Sequence, residues 1–256
     1  MTKISLDKFT RYTAAELDAL CEFNPDMEII TGECENTKYI TVKNILKRPD
    51  DLREFISKFP CEDRNLSIED NGRTHISSKA PGFQQPIEKI YMMELSKNLY
   101  ELGISNKLFK YKQEDLEFEY YTNCCFPGMK SYNRNYLPHV DPFSIAANIY
   151  LTDVPDTGTS FFKFVGKDNK SFYSVSDLLR DRERGAQVYE DNISKYKIES
   201  GWSDWVKFTG DDFYQRYHYI PAEYNSCSMY RGNRWHGITY DATCDDVRYS
   251  IVGVIK

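Results

Sequence analysis

Four histidines, His75, His139, His218 and His236, stand in a chain of 256 residues, so a histidine-based metal site can be assembled in few ways. The segment His139-Val140-Asp141 is the first candidate. In an extended chain, residues i and i+2 project to the same side, which puts one imidazole and one carboxylate within reach of a single cation. His236, within Gly232-Asn233-Arg234-Trp235-His236-Gly237, is the candidate third ligand. Two imidazoles and one carboxylate on one face of an ion leave the opposite face open, the arrangement that suits Fe(II) and oxygen chemistry. His218, within Tyr217-His218-Tyr219, is the rival for the third position, with a place on a barrel strand as its other reading. His75 sits in a polar stretch that reads as a loop.

A second cluster follows at Arg248-Tyr249-Ser250. Arg248 and Ser250 share a face by the same period of two, and a guanidinium fork beside a hydroxyl makes a carboxylate clamp. An iron oxygenase that consumes 2-oxoglutarate needs such a clamp for the far carboxylate of that acid.

The order HxD, distal His, RxS resembles the Fe(II)/2-oxoglutarate-dependent dioxygenase superfamily. Two further stretches are similar to its prolyl-4-hydroxylase-like branch: Tyr136-Leu137-Pro138-His139-Val140-Asp141, and Tyr150-Leu151-Thr152-Asp153-Val154-Pro155-Asp156 running on to Gly158-Thr159-Ser160-Phe161-Phe162. The resemblance spans residues 39–256. It implies Fe(II) held by His139, Asp141 and His236, with 2-oxoglutarate and O2 as cosubstrates and ascorbate as a candidate reductant. It also implies 2-oxoglutarate bound by Arg248, Ser250 and the Tyr150 hydroxyl, for which a core position is the other reading. Candidates for the substrate pocket are Tyr132, Tyr136, Asn148, Arg231 and Trp235. The implied reaction is hydroxylation of an unactivated C–H bond, with succinate and CO2 released and a prolyl residue as a candidate target. The collagen-type enzymes of that branch carry Lys where Arg248 stands and a GxKW motif after the distal His; this chain has neither. Two other readings stand beside it: an iron oxidase that does not use 2-oxoglutarate, and a non-catalytic barrel that serves as a binding module.

The elements that must position these residues follow from the hydrophobic pattern. Tyr39-Ile40-Thr41-Val42 is β-branched and reads as a strand, and Leu52, Phe55, Ile56 and Phe59 form one stripe of a helix over about 50–59. A longer helix is predicted from Pro86 to about Leu102, with Pro86 at its first position and Gly103 just past its end. Strands are expected near 116–120, 145–151, 160–165, 224–230 and 249–255. The fold class expected is mainly β with flanking helices, a double-stranded β-helix or jelly-roll barrel. Residues 1–38 are expected to be an N-terminal segment packing on the core, residues 39–256 the oxygenase domain, and about 166–212 an insertion in which Trp202 and Trp205 pack against the barrel or form a lid.

Composition excludes several classes. The net charge of −6 argues against a broad nucleic-acid or anionic-membrane surface and favours a protein, peptide or small-molecule substrate. No apolar run is long enough for a transmembrane helix. The first residues lack an apolar signal core, which predicts a cytoplasmic setting. The seven cysteines are odd in number, contain no CxxC pair and read as free thiols.

Overall fold

The computed structural model describes residues 12–58, 68–70, 73–75, 83–87, 89–125, 130–132, 138–141, 145–187, 202–204, 209–241 and 245–256. In chain order its elements are α1 (Ala14–Leu20), β1 (Glu28–Cys34), β2 (Thr37–Lys43), α2 (Pro49–Ser57), β3 (Ile68–Asp70), β4 (Arg73–His75), β5 (Phe83–Ile87), α3 (Met93–Ser105), β6 (Phe118–Cys125) and β7 (Lys130–Tyr132). They continue as β8 (Ile145–Tyr150), β9 (Gly158–Val165), β10 (Ser171–Phe172), α4 (Val175–Arg180), β11 (Trp202–Asp204), β12 (Tyr214–Pro221), β13 (Ser226–Arg231), β14 (His236–Thr239) and β15 (Arg248–Ile255).

Two antiparallel sheets carry the architecture. The major sheet has seven strands in the order β1-β2-β13-β8-β15-β6-β5. In the minor sheet β9 is central, flanked by β12 on one side and by β10 and β14 on the other. A two-way backbone bridge between His139 and His236 adds the HxD segment beside β14. From β8 onward the chain passes from the major sheet to the minor (β9, β10, β12), back to the major (β13), to the minor (β14) and to the major again (β15), the winding of a double-stranded β-helix, the jelly roll anticipated above.

The helices cover one face of the major sheet. Leu52, Phe55 and Ile56 of α2 and Leu95, Leu99 and Leu102 of α3 pack with Ile40, Val42, Ala147, Ile149, Cys227, Met229, Ile251 and Ile255 in one apolar cluster. Those sheet residues fall on one side because side chains alternate along each strand. The outer face of the minor sheet has its own cluster, in which Phe162, Phe164 and Tyr214 meet Phe172, Leu178 and Trp235.

The structure corrects several expectations. Pro86 does not begin a helix; it lies in β5, the edge strand of the major sheet, where a residue without an N–H is tolerated. Helix α3 starts at Met93 and runs through Gly103 to Ser105. Gly103 serves packing: a Cβ there would stand 2.2 Å from the Phe109 ring. The sheet begins before residue 39, because β1 pairs along its whole length with β2. Residues 166–187 close on the barrel through Phe172 and Leu178, and Ser174 bridges to Arg234. Trp202 lies on β11, in register with Tyr132 of β7, and Trp205 lies outside the described residues. No helix among the described residues is long and apolar enough to cross a membrane. Five cysteines, Cys21, Cys34, Cys124, Cys125 and Cys227, are free thiols; Cys61 and Cys244 lie outside the described residues.

Candidate metal centre and its cosubstrate clamp

Two reciprocal backbone hydrogen bonds staple the HxD segment to the start of β14: the His139 N–H donates to the His236 carbonyl at 2.8 Å and the His236 N–H to the His139 carbonyl at 2.9 Å. The Asp141 N–H donates to the Gly232 carbonyl at 2.7 Å. Three side chains from two segments far apart in sequence are thereby held in place by main-chain geometry. The ligand atoms of His139, Asp141 and His236 all lie within 4.8 Å of one another. Atoms held about 2.1 Å from a shared cation stand roughly 3–4 Å apart, so a modest adjustment would seat an ion.

The donor chemistry fits a metal. His236 is buried, and its Nδ1 lies 2.8 Å from the Arg234 carbonyl oxygen, which can only accept a hydrogen bond. In the neutral ring Nδ1 therefore carries the proton and Nε2 offers its lone pair, the orientation usual for metal-bound histidine. That Nε2 faces the Asp141 carboxylate at 3.3 Å. At this distance the two groups can share a metal ion or a proton.

The barrel interior next to these ligands is mixed: Ala146, Phe161, Ile220 and Tyr230 form a small apolar cluster, and polar side chains line the rest. On β8 and β13, Asn148, Tyr150, Ser226, Ser228 and Tyr230 occupy the face opposite the apolar cluster and are buried. The Tyr150 hydroxyl sits 3.1 Å from Thr159 Oγ1 and 3.2 Å from Ser228 Oγ. Asn148 Nδ2 donates to the Tyr230 hydroxyl at 3.1 Å. The Tyr230 ring packs edge-on against His236 with centroids 5.2 Å apart, and burial pushes its phenol far up, so it stays protonated.

Arg248 opens β15 and enters this interior with only 5% of its surface exposed. Its Nη1 donates to Asn123 Oδ1 at 3.3 Å and lies 3.9 Å from Cys125 Sγ, and its guanidinium stacks over Tyr150 at 5.3 Å from the ring centroid. Burial pushes the Cys125 thiol up, so no thiolate stands there as a counter-ion. Among the described residues, the buried Arg248 Nε has no hydrogen-bond partner. A buried guanidinium with an unmet donor and no carboxylate among its contacts with the described residues is costly unless an anion completes it. Ser250, the other half of the RxS pair, donates to the Asn123 carbonyl at 3.3 Å and keeps its lone pairs free to accept.

Not every candidate reaches this interior. Arg231 follows Tyr230 and so projects to the opposite face of β13, where its Nη2 reaches the Leu108 carbonyl at 3.4 Å. Trp235 precedes His236 and packs in the outer cluster with Phe162, Phe164 and Tyr214. Asn148 does face the interior. Tyr132 lies on β7, and Tyr136 lies outside the described residues. His218 sits on β12, with its ring 4.8 Å from that of Tyr39 and 5.8 Å from that of Phe161. It belongs to no metal-ligand group among the described residues. Sequence reasoning passed over Tyr230, Ser228, Thr159 and Asn123. The Ser-x-Ser-x-Tyr alternation of 226–230 was the available signal for the first two.

No family model and no curated protein matches the chain. Among solved structures it is similar to SnoN, a non-heme alpha ketoglutarate dependent epimerase from nogalamycin biosynthesis, at 16% identity and TM-score 0.44, over 85% of this chain and 77% of that one. It is also similar to a Pseudomonas putida prolyl-4-hydroxylase at 13% identity and TM-score 0.39, over 95% of this chain and 93% of that one. EvdO2 from Micromonospora carbonacea var. aurantiaca, complexed with 2-oxoglutarate, matches at 12% identity and TM-score 0.38, over 89% of this chain and 93% of that one.

Proposed function

We propose that the chain is an Fe(II)- and 2-oxoglutarate-dependent dioxygenase that hydroxylates an unactivated C–H bond in a peptide or small-molecule substrate. The observation that carries the reading is the buried, incompletely satisfied guanidinium of Arg248, set in the same barrel interior as the His139, Asp141 and His236 donors. A metal trio alone would fit many chemistries. A metal trio with a buried cation awaiting an acid fits one that takes a dicarboxylate cosubstrate.

His139, Asp141 and His236 would hold the metal on one face. Bound there, Fe(II) would couple the oxidative decarboxylation of 2-oxoglutarate by O2, which gives succinate and CO2, to insertion of the second oxygen atom into the C–H bond. Arg248 and Ser250 would bind the far carboxylate of the acid, a charge-assisted contact stronger than a neutral hydrogen bond. Tyr150 holds the guanidinium from below and presents its hydroxyl beside Thr159 and Ser228. Arg234 acts through its backbone, fixing the His236 tautomer. The Asp141 side chain is 39% exposed, so the metal face is open to a substrate from solvent. A carboxylate at this position, instead of a vacancy for halide, favours hydroxylation over halogenation. Prolyl peptides are the first substrate class to try.

The test is calorimetric titration of 2-oxoglutarate into anaerobic, Fe(II)-loaded protein, followed by succinate release against a peptide panel. The reading expects saturable binding that depends on Arg248. Binding of equal strength in an Arg248→Met variant would refute the clamp.

A further inference from the structure

A second pocket of about 500 Å³ lies outside the metal-bearing interior. Its walls come from the chain leaving α3 (Phe109, Leu116), the ends of β8 and β15 (Ile145, Ile255) and helix α4 (Val175, Leu179). None of His139, Asp141, His236 and Arg248 lines it. Val140 does line it, because a residue between two metal ligands on extended chain points away from the ion.

Two features mark this pocket as a ligand site. It has the size of small-molecule pockets, about 300–1,000 Å³, and the usual composition: apolar walls with a few polar groups. Leu179, 61% exposed, and Tyr111, 65% exposed, are the two most exposed large apolar side chains among the described residues, and both border it. The second feature is charge. Arg231 lines the pocket, and its one hydrogen bond among the described residues runs to the Leu108 carbonyl at 3.4 Å. No carboxylate of the described residues pairs with it, whereas the neighbouring Lys256 is neutralised by Glu119 at 2.6 Å. An apolar slot with an exposed guanidinium at its mouth that no carboxylate of the described residues pairs is complementary to a molecule with an apolar body and one acidic head.

We propose that this pocket binds a small amphipathic organic anion, with its apolar part between α4 and the ends of β8 and β15 and its acid group on Arg231. The site is independent of the oxygenase reading, since it shares no side chain with the metal centre or the cosubstrate clamp.

The test uses the full chain, Fe(II)-loaded and anaerobic, with saturating 2-oxoglutarate present to fill the Arg248 clamp. Decanoate is the probe and 1-decanol its neutral counterpart, both followed by calorimetry. The expected result is saturable one-to-one decanoate binding that 2-oxoglutarate does not displace. Arg231→Gln should weaken decanoate by about tenfold or more, the cost of one charge-assisted contact, and leave decanol unchanged. Leu179→Glu should weaken both. Melting temperature and 2-oxoglutarate affinity verify that each variant is folded, and added salt should weaken decanoate but not decanol in the unaltered protein. Three results would overturn the proposal: no decanoate binding, equal decanoate affinity in Arg231→Gln, or displacement by 2-oxoglutarate, which would place the acid in the barrel.

Discussion

The two faces of the major sheet are made by the same strands and do opposite work. Toward the helices, Ala147 and Ile149 of β8, Cys227 and Met229 of β13, and Ile251 and Ile255 of β15 join one apolar cluster. Toward the barrel interior, Asn148 and Tyr150, Ser226, Ser228 and Tyr230, and Arg248 and Ser250 alternate with them and are equally buried. Burial of the first set is favourable at roughly 25 cal/mol per Å² of apolar surface removed from water. Burial of the second is at best neutral, because each polar group must recover in the fold the hydrogen bonds it leaves in water. Arg248 does not recover all of its own. The apolar face accounts for stability, and the polar face is retained for what it binds.

That contrast can be broken in several ways, the strongest first. His139→Ala should abolish stoichiometric Fe(II) binding with little change in thermal stability; metal analysis after anaerobic loading checks this, and retention of full iron would remove His139 from the site. On the other face, Ile251→Ala should cost about 2–5 kcal/mol in chemical denaturation and leave metal affinity in the surviving folded fraction unchanged. Arg248→Met should weaken 2-oxoglutarate by about a hundredfold. The same substitution should leave the melting temperature unchanged or raised, since it removes an incompletely paired buried charge. A clear drop in melting temperature would mean that Arg248 is structural. Tyr150→Phe deletes the hydroxyl shared with Thr159 and Ser228 and should cost about 1 kcal/mol in stability, with a few-fold loss of 2-oxoglutarate affinity.

The smallest effect concerns His218, whose burial lowers its pKa from the ordinary value of 6.5. Above 6.5 the ring is neutral in both the folded and unfolded chain, and stability is at its full value. As pH falls below 6.5 the unfolded chain takes up the proton first, so stability declines until the lowered folded value is passed. His218→Gln should flatten that acid limb in denaturation curves recorded between neutral and mildly acidic pH.

How much was legible before folding varied with the kind of signal. β-Branched content located β2, and strands expected at 145–151, 160–165, 224–230 and 249–255 fall within a few residues of β8, β9, β13 and β15, whereas alternation over 116–120 marked only the start of β6. Strand β1 was missed, since it lies at the sheet edge with Ile29 and Ile30 exposed and has no buried face to impose a pattern. Proline and glycine misled at α3. Pro86 and Gly103 have local meanings that fit a helix start and stop, yet one occupies an edge strand and the other makes room for Phe109.

The sequence by itself determined which side chains were available for chemistry and on which side of its own strand each would stand. His139 with Asp141, and Arg248 with Ser250, are pairs at a spacing of two, and backbone geometry alone puts each pair on one face. Only the tertiary structure decided which faces meet. The His139–His236 backbone bridge brings residues from distant parts of the chain to one point, and no local rule contains that distance. It also sent Arg231 and Trp235 away from the interior, one residue out of phase with Tyr230 and His236. Period-two geometry says that neighbours point apart, but packing against the helices or the second sheet selects which neighbour faces in.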